Sequence, residues 1–217
     1  MLNAVRIALT PLLASVAAMA AAATQAPAAP ESLAVGTQEI IEDRTPEMWS
    51  ARWWMWAASF RGEESPVMDR DGSRCGAGQE GDTFFLAGAY GSRPVHRTCT
   101  VPRGKYLFFP LVTYIVMSGE GPRECDHLRA EARAMVDNPG SLFAQLDGMP
   151  VEGLQARRAA PGKCFNVNAK SRAPTMPSAA DGYWLMLRPL APGRHELHFG
   201  GEVESLRQDI RYTLLVE

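Results

Sequence analysis

The 217-residue sequence has no block of basic residues, and its formal net charge is only −2. That balance argues against nucleic acid or an anionic membrane surface as partner. No hydrophobic span follows the first 23 residues, so no transmembrane anchor is expected once that leader is removed. The chain has no Gly-x-Ser-x-Gly elbow and no His-Glu-x-x-His helix, which removes two common hydrolase signatures. Cys-x-x-Cys is absent, and the histidines lie at no ligand spacing from the cysteines, so no metal centre is expected. "CGAGQEGD" is rich in glycine but precedes a strand, so it is not a phosphate cradle. There is no internal repeat.

What is present begins with an export signal. "MLNAVRIALTPLLASVAAMAAAA" has one charge, Arg6, then an apolar run and small residues suited to cleavage after Ala20 to Ala23. Residues 1–23 are therefore expected to be a signal peptide, and residues 24–44 a disordered Pro/Ala-rich linker. Residues 45–217 suit one domain. The four cysteines, Cys75, Cys99, Cys125 and Cys164, form an even count behind the signal. Two disulfides and a secreted or periplasmic location follow. Three pairings are possible. Cys75–Cys99 and Cys125–Cys164 are preferred, because each closes a local segment.

"WSARWWMWAASF" concentrates four of five tryptophans in eight positions. Thr45-Pro46-Glu47 before it reads as a helix start. At 100° per residue, Trp49, Trp53, Trp56 and Phe60 fall within a stripe about 60° wide. Such a stripe must dock on a core. Trp54 lies about 120° away and is expected either on a second wall of the core or exposed, with burial favoured.

Residues 61–82 read as a long, punctuated loop tied down at Cys75. Strands are expected at 83–89, 95–101 and 105–117, the last buried on both faces with a bend or bulge at Pro110. A helix spans 124–136, and a hairpin spans 142–152 with its turn at Asp147-Gly148. "KCFNVN" reads as a short strand and "SRAPTMPSAADG" as a loop. Strands at 183–190, 195–199 and 209–217 close the chain. The fold class is mainly β (α+β): an antiparallel β-sandwich with a docked tryptophan-rich helix and one further helix.

The chain resembles a group of uncharacterised secreted bacterial proteins. The resemblance rests on the tryptophan helix, "DRDGSRCGAGQEGDTFFLAG", "RTCTVPRGKYLFFP" and "DGYWLMLRPLAPGRHELHFGG" with "YTLLV". It implies no activity. The last stretch is also similar to the closing strands of immunoglobulin-like β-sandwich modules, which concerns fold alone.

Candidate sites concentrate in the acidic loop. Glu63, Glu64, Asp69, Asp71, Glu80 and Asp82 fall within twenty residues, a density of oxygens that suits Ca²⁺. The twelve-residue calcium pattern is missing, and Arg61, Arg70 and Arg74 offset half the charge, so Asx-turns are the simpler reading. His195 and His198 face opposite sides of a strand and cannot share a metal. No catalytic residue is assigned. If a small molecule, glycan or protein ligand binds, Asp69 and Asp71 with Trp54 or Tyr90 as stacking surface are the candidates. The expected function is an exported binding or envelope-associated structural module. The alternative is a secreted hydrolase using carboxylates of the same loop, for instance Asp69 with Glu80.

Overall fold

The computed structural model describes residues 32–91, 93–119, 123–204 and 206–217. The expected signal peptide and the first part of the expected linker lie outside these residues. In chain order the elements are α1 (Pro46–Ala57), β1 (Thr83–Phe85), β2 (Val95–Val101), β3 (Tyr106–Met117), α2 (Cys125–Ala134), β4 (Leu142–Leu146), β5 (Met149–Pro150), β6 (Phe165–Asn166), β7 (Pro177–Leu187), β8 (Gly193–Val203) and β9 (Leu206–Val216). One sheet has the order β1-β3-β7-β6 and the other β2-β9-β8-β4-β5. The result is a sandwich-like, mainly β α+β fold. The sheets are mixed, not purely antiparallel: β1 runs parallel to β3, and β2 parallel to β9. The cause is topological, since β2 crosses to the opposite sheet between β1 and β3.

Alternation places the apolar residues of both sheets between them. Phe109 of β3 meets Phe199 of β8 with ring centroids 4.3 Å apart, and Phe199 stacks on Tyr212 of β9. The outer face of the second sheet is wet, as the strict buried–exposed alternation of β2 shows. The first sheet is covered on its other face too. There α1 packs on Phe85, Phe108, Trp184 and Met186; Leu128 and Ala132 of α2 pack instead on Val116 and Ala179, which lie on the inter-sheet face together with Val112 and Tyr183. This double burial explains why β3 reads as a continuous apolar run.

Pro110 marks a bulge. Pro110 pairs with Trp184 and Val112 with Tyr183, so Leu111 is an extra residue. The insertion reverses the face of every residue after it. Val112 therefore points into the inter-sheet core, and Thr113 points toward α1.

Two expectations are corrected. The linker does not stay loose up to residue 44: from Ser32 the chain is part of the compact body. The Val35 N–H donates to Met186 O at 2.9 Å, and Arg188 N–H to Leu33 O at 2.9 Å. The reason is the edge of β7. The two-residue strand β6 pairs only with Pro177 and Ser178, leaving the rest of that edge open. Residues 33–35 and 157–159 fill it in short pieces, which also blunts it against edge-to-edge association. Second, β7 starts at Pro177, inside the stretch expected as a loop. Small residues hide this strand because they serve close approach: a Cβ on Gly182 would lie 2.6 Å from the Thr113 side chain.

Disulfides join Cys75 to Cys99 and Cys125 to Cys164. The first fastens the long loop to β2, and the second fastens the start of α2 beside β6. The loop also covers the free edge of β2, where the Thr98 N–H donates to Asp71 O at 2.8 Å. Gly72 makes this fit possible, since a Cβ there would sit 2.0 Å from Thr98 O and its φ is +97°.

Candidate functional site

All four tryptophans of α1 are buried, Trp54 included. Their indole N–H groups reach four different segments. Trp49 donates to Ile41 O at 3.2 Å, Trp53 to Leu86 O at 3.0 Å, Trp54 to Thr113 Oγ1 at 3.3 Å and Trp56 to Ala77 O at 2.9 Å. Each ring thus supplies apolar area together with one polar pin, which leucine or phenylalanine could not provide. Phe60, at the end of the stripe, is half-buried against Trp56.

The Trp53 and Trp54 side of α1 borders a surface hollow of about 330 Å³, lined by Val67, Gly88, Tyr90, Thr113, Tyr114 and Gln208 among others. Trp54 and Tyr90, the two candidate stacking residues, are therefore brought together. Tyr90 stands 63% exposed at the rim, so its ring is free to meet a ligand.

Residues 86–89 were expected to continue the strand, but β1 ends at Phe85. Beyond Leu86 the backbone is held by side chains of the second sheet. The Ala87 N–H donates to the Tyr212 hydroxyl at 3.1 Å, and the Ala89 N–H donates to Gln208 Oε1 at 3.2 Å. Arg97 donates to Ala87 O at 2.8 Å and to Gly88 O at 3.1 Å. It also donates to Asp69 O at 2.8 Å through Nε, and to the Tyr212 hydroxyl at 2.9 Å. Arg97 is 1% exposed, and among the described residues no carboxylate pairs with it. Its charge is stabilised by carbonyl dipoles. Burial pushes the Tyr212 phenol up, so it remains neutral and both donates and accepts.

The candidate carboxylates lie elsewhere. Neither Asp69 nor Asp71 lines the hollow; Val67 is the contribution of the 61–82 loop. The Asp69 carboxylate is buried and accepts the N–H groups of Asp71, Gly72 and Arg74 at 3.1, 3.1 and 2.9 Å. Asp71 accepts the Ser73 N–H at 2.9 Å, which holds its carboxyl below the usual range. Both aspartates thus shape their own loop through Asx-type turns. Glu80, the possible acid/base partner of Asp69, is instead paired with Lys170. Among the described residues no group of three or more His, Cys, Asp or Glu is placed to hold a metal ion. His195 pairs with Asp147 at 2.7 Å and His198 with Asp209 at 2.8 Å.

Two other hollows compete with this one. A polar hollow of about 510 Å³ beside α2 is lined by Asp126, Arg129, Arg133, Arg158 and Asp181. Its charges largely satisfy one another: Arg158 clasps Asp181 through two bonds of 2.9 Å and reaches Asp137 at 2.6 Å. A cleft of about 30 Å³ between Val35, Trp49, Arg157 and Trp184 has room for one water-sized group.

Sequence reasoning missed Gln208, Thr113 and Tyr114. Gln208 carried a signal: it shares the alternation phase of the buried Ile210 and Tyr212, so it is a polar residue in an inward position. The strand was expected to begin at residue 209, one position too late to show this. Arg97 is a parallel case, a charged residue in phase with the buried Val95, Cys99 and Val101.

No helix among the described residues is long and apolar enough to cross a membrane. No protein-family model matches the chain, and no curated protein matches it. Among solved structures, the chain is similar to one from the structure of PbICP-C in complex with falcipain-2. The match has 8% identity and a TM-score of 0.24, and it covers 63% of this chain and 100% of that one. A likeness this weak bears on neither the fold nor the function of this chain.

Proposed function

We propose that this is an exported binding module whose ligand seats in the hollow between α1, the 87–90 segment, β3 and β9. The observation that carries the reading is the pairing of a buried tryptophan wall, Trp53 and Trp54, with an exposed Tyr90 across about 330 Å³ of space. That volume falls at the lower end of small-ligand pockets, and predominantly apolar walls with a few polar groups are their usual chemistry. Export is supported by the two disulfides and by the leader-like start of the sequence.

The test is calorimetric titration with a panel of glycans and peptides, run on the wild type and on Tyr90→Ala. Tyr90 is exposed, so its loss should leave stability within about 0.5 kcal/mol. A hit whose heat falls about tenfold or more in affinity in Tyr90→Ala supports the reading. Hits indifferent to Tyr90, or flat traces throughout, refute it.

A further inference from the structure

The residues lining the hollow include none with a formal charge. Most of their polar atoms are already engaged. Both indole N–H groups are donated, and Thr113 Oγ1 accepts from Trp54 while donating to Asp181 O at 3.0 Å. Gln208 differs. It is 4% exposed, and its Oε1 accepts the Ala89 N–H, which sets the orientation of the amide. Its Nε2 has no hydrogen-bond partner among the described residues. Gly88 gives the amide its seat, since a Cβ there would lie 2.4 Å from Gln208 Oε1. One peptide behind this wall, the Arg97 guanidinium donates to Gly88 O.

The Gln208 amide N–H₂ opens on the hollow and is reached by solvent rather than sealed in the core, so it is a donor that a ligand oxygen can engage. The cation behind the wall disfavours a positive ligand. A full negative charge would be desolvated with no lining residue to pair it. Resting on the binding reading above, we infer that the ligand is an uncharged molecule that lays a ring against Trp54 and Tyr90. It directs a carbonyl or hydroxyl oxygen at Gln208 Nε2. Gln208 then determines specificity, and Gly88 positions it.

The test uses three matched probes, N-phenylacetamide, benzoate and benzylammonium, titrated into the oxidised protein by NMR with Tyr90 and indole resonances as reporters. The neutral amide should bind about tenfold or more tighter than benzoate, with benzylammonium weakest. Gln208→Met should weaken N-phenylacetamide about fivefold to tenfold, the worth of one hydrogen bond. Gln208→Glu should invert the order toward benzylammonium. Gly88→Ala, which displaces the amide without removing it, should act in the same direction as Gln208→Met and serves if that variant fails to fold. Equal affinity for all three probes, or unchanged binding in the Gln208 and Gly88 variants, overturns the inference while leaving the hollow as a site. If no probe and no panel member shifts the reporters, the binding reading itself fails and this inference with it.

Discussion

Replacing Arg97 by methionine should cost more stability than the loss of any exposed ion pair in this protein. Arg97 makes seven side-chain hydrogen bonds at 2.7–3.4 Å, six of them to backbone carbonyls. Methionine keeps the stem and most of the packing. It leaves Asp69 O and Gly88 O, the two best-bound carbonyls without another donor, unsatisfied. At about 1–3 kcal/mol for each orphaned buried acceptor, the loss is about 2–6 kcal/mol. An opposing term exists, because deleting a buried cation removes its desolvation penalty. Replacing whole buried ion pairs by apolar groups is often neutral for that reason. Here the partners are backbone and cannot be removed with the side chain, so the orphaning term dominates. Urea unfolding followed by tryptophan fluorescence should show the midpoint falling by about 2 M with an unchanged slope. Arg97→Lys, which can satisfy one or two of the carbonyls, should fall between. A loss below about 1 kcal/mol for Arg97→Met would refute the claim that this guanidinium holds the 87–90 wall to the 67–69 loop.

Deleting Leu111 removes the bulge but keeps Val112 opposite Tyr183, so every later residue holds its face and only a fully buried leucine side chain is lost. Thermal unfolding by circular dichroism should stay cooperative with stability lowered by about 2–5 kcal/mol, and loss of the cooperative transition would contradict the register assignment. The His195–Asp147 pair predicts a pH window. Its bonds to Asp147 Oδ2 and Ala191 O use both ring nitrogens as donors and raise the His195 value above its ordinary 6.5, while the Asp147 value falls below its ordinary 3.8. The histidine contribution is complete below 6.5 and fades as pH rises through its raised value; the aspartate contribution is complete above 3.8 and fades as pH falls through its lowered value. Asp147→Asn should therefore lose most stability between about pH 4 and 6.5, by no more than about 1 kcal/mol, and a flat difference across pH would contradict it. Reducing the disulfides opens loops of 24 and 39 residues, worth about 3.5 and about 3.9 kcal/mol in the chain-entropy model. Each Cys→Ala pair should lower stability by about that much in urea, and peptide mapping without reductant should return 75–99 and 125–164 links; four free thiols in the secreted protein would refute the compartment as well.

Local chemistry made much of this fold legible. The spacing of Trp49, Trp53 and Trp56 demanded a docked helix, because a stripe of that hydrophobicity cannot remain in water. Pro110 announced a break in the β3 ladder, because proline has no N–H to give it. Asp147-Gly148, both at positive φ, announced a hairpin turn. These features act within a few residues of themselves, so one stretch of sequence contains their cause. The candidate site is different in kind. Trp54 and Tyr90 face each other across a hollow only because the bulge turns Thr113 toward α1, and because Arg97, Tyr212 and Gln208 hold a wall that forms no ladder there. Those three side chains come from strands up to 125 positions away from the backbone they hold. Which oxygens and nitrogens stay unpaired is settled by that long-range matching of donors to acceptors. The tertiary structure alone therefore left the Gln208 amide open to the hollow and closed the Asp69 carboxylate into its own loop.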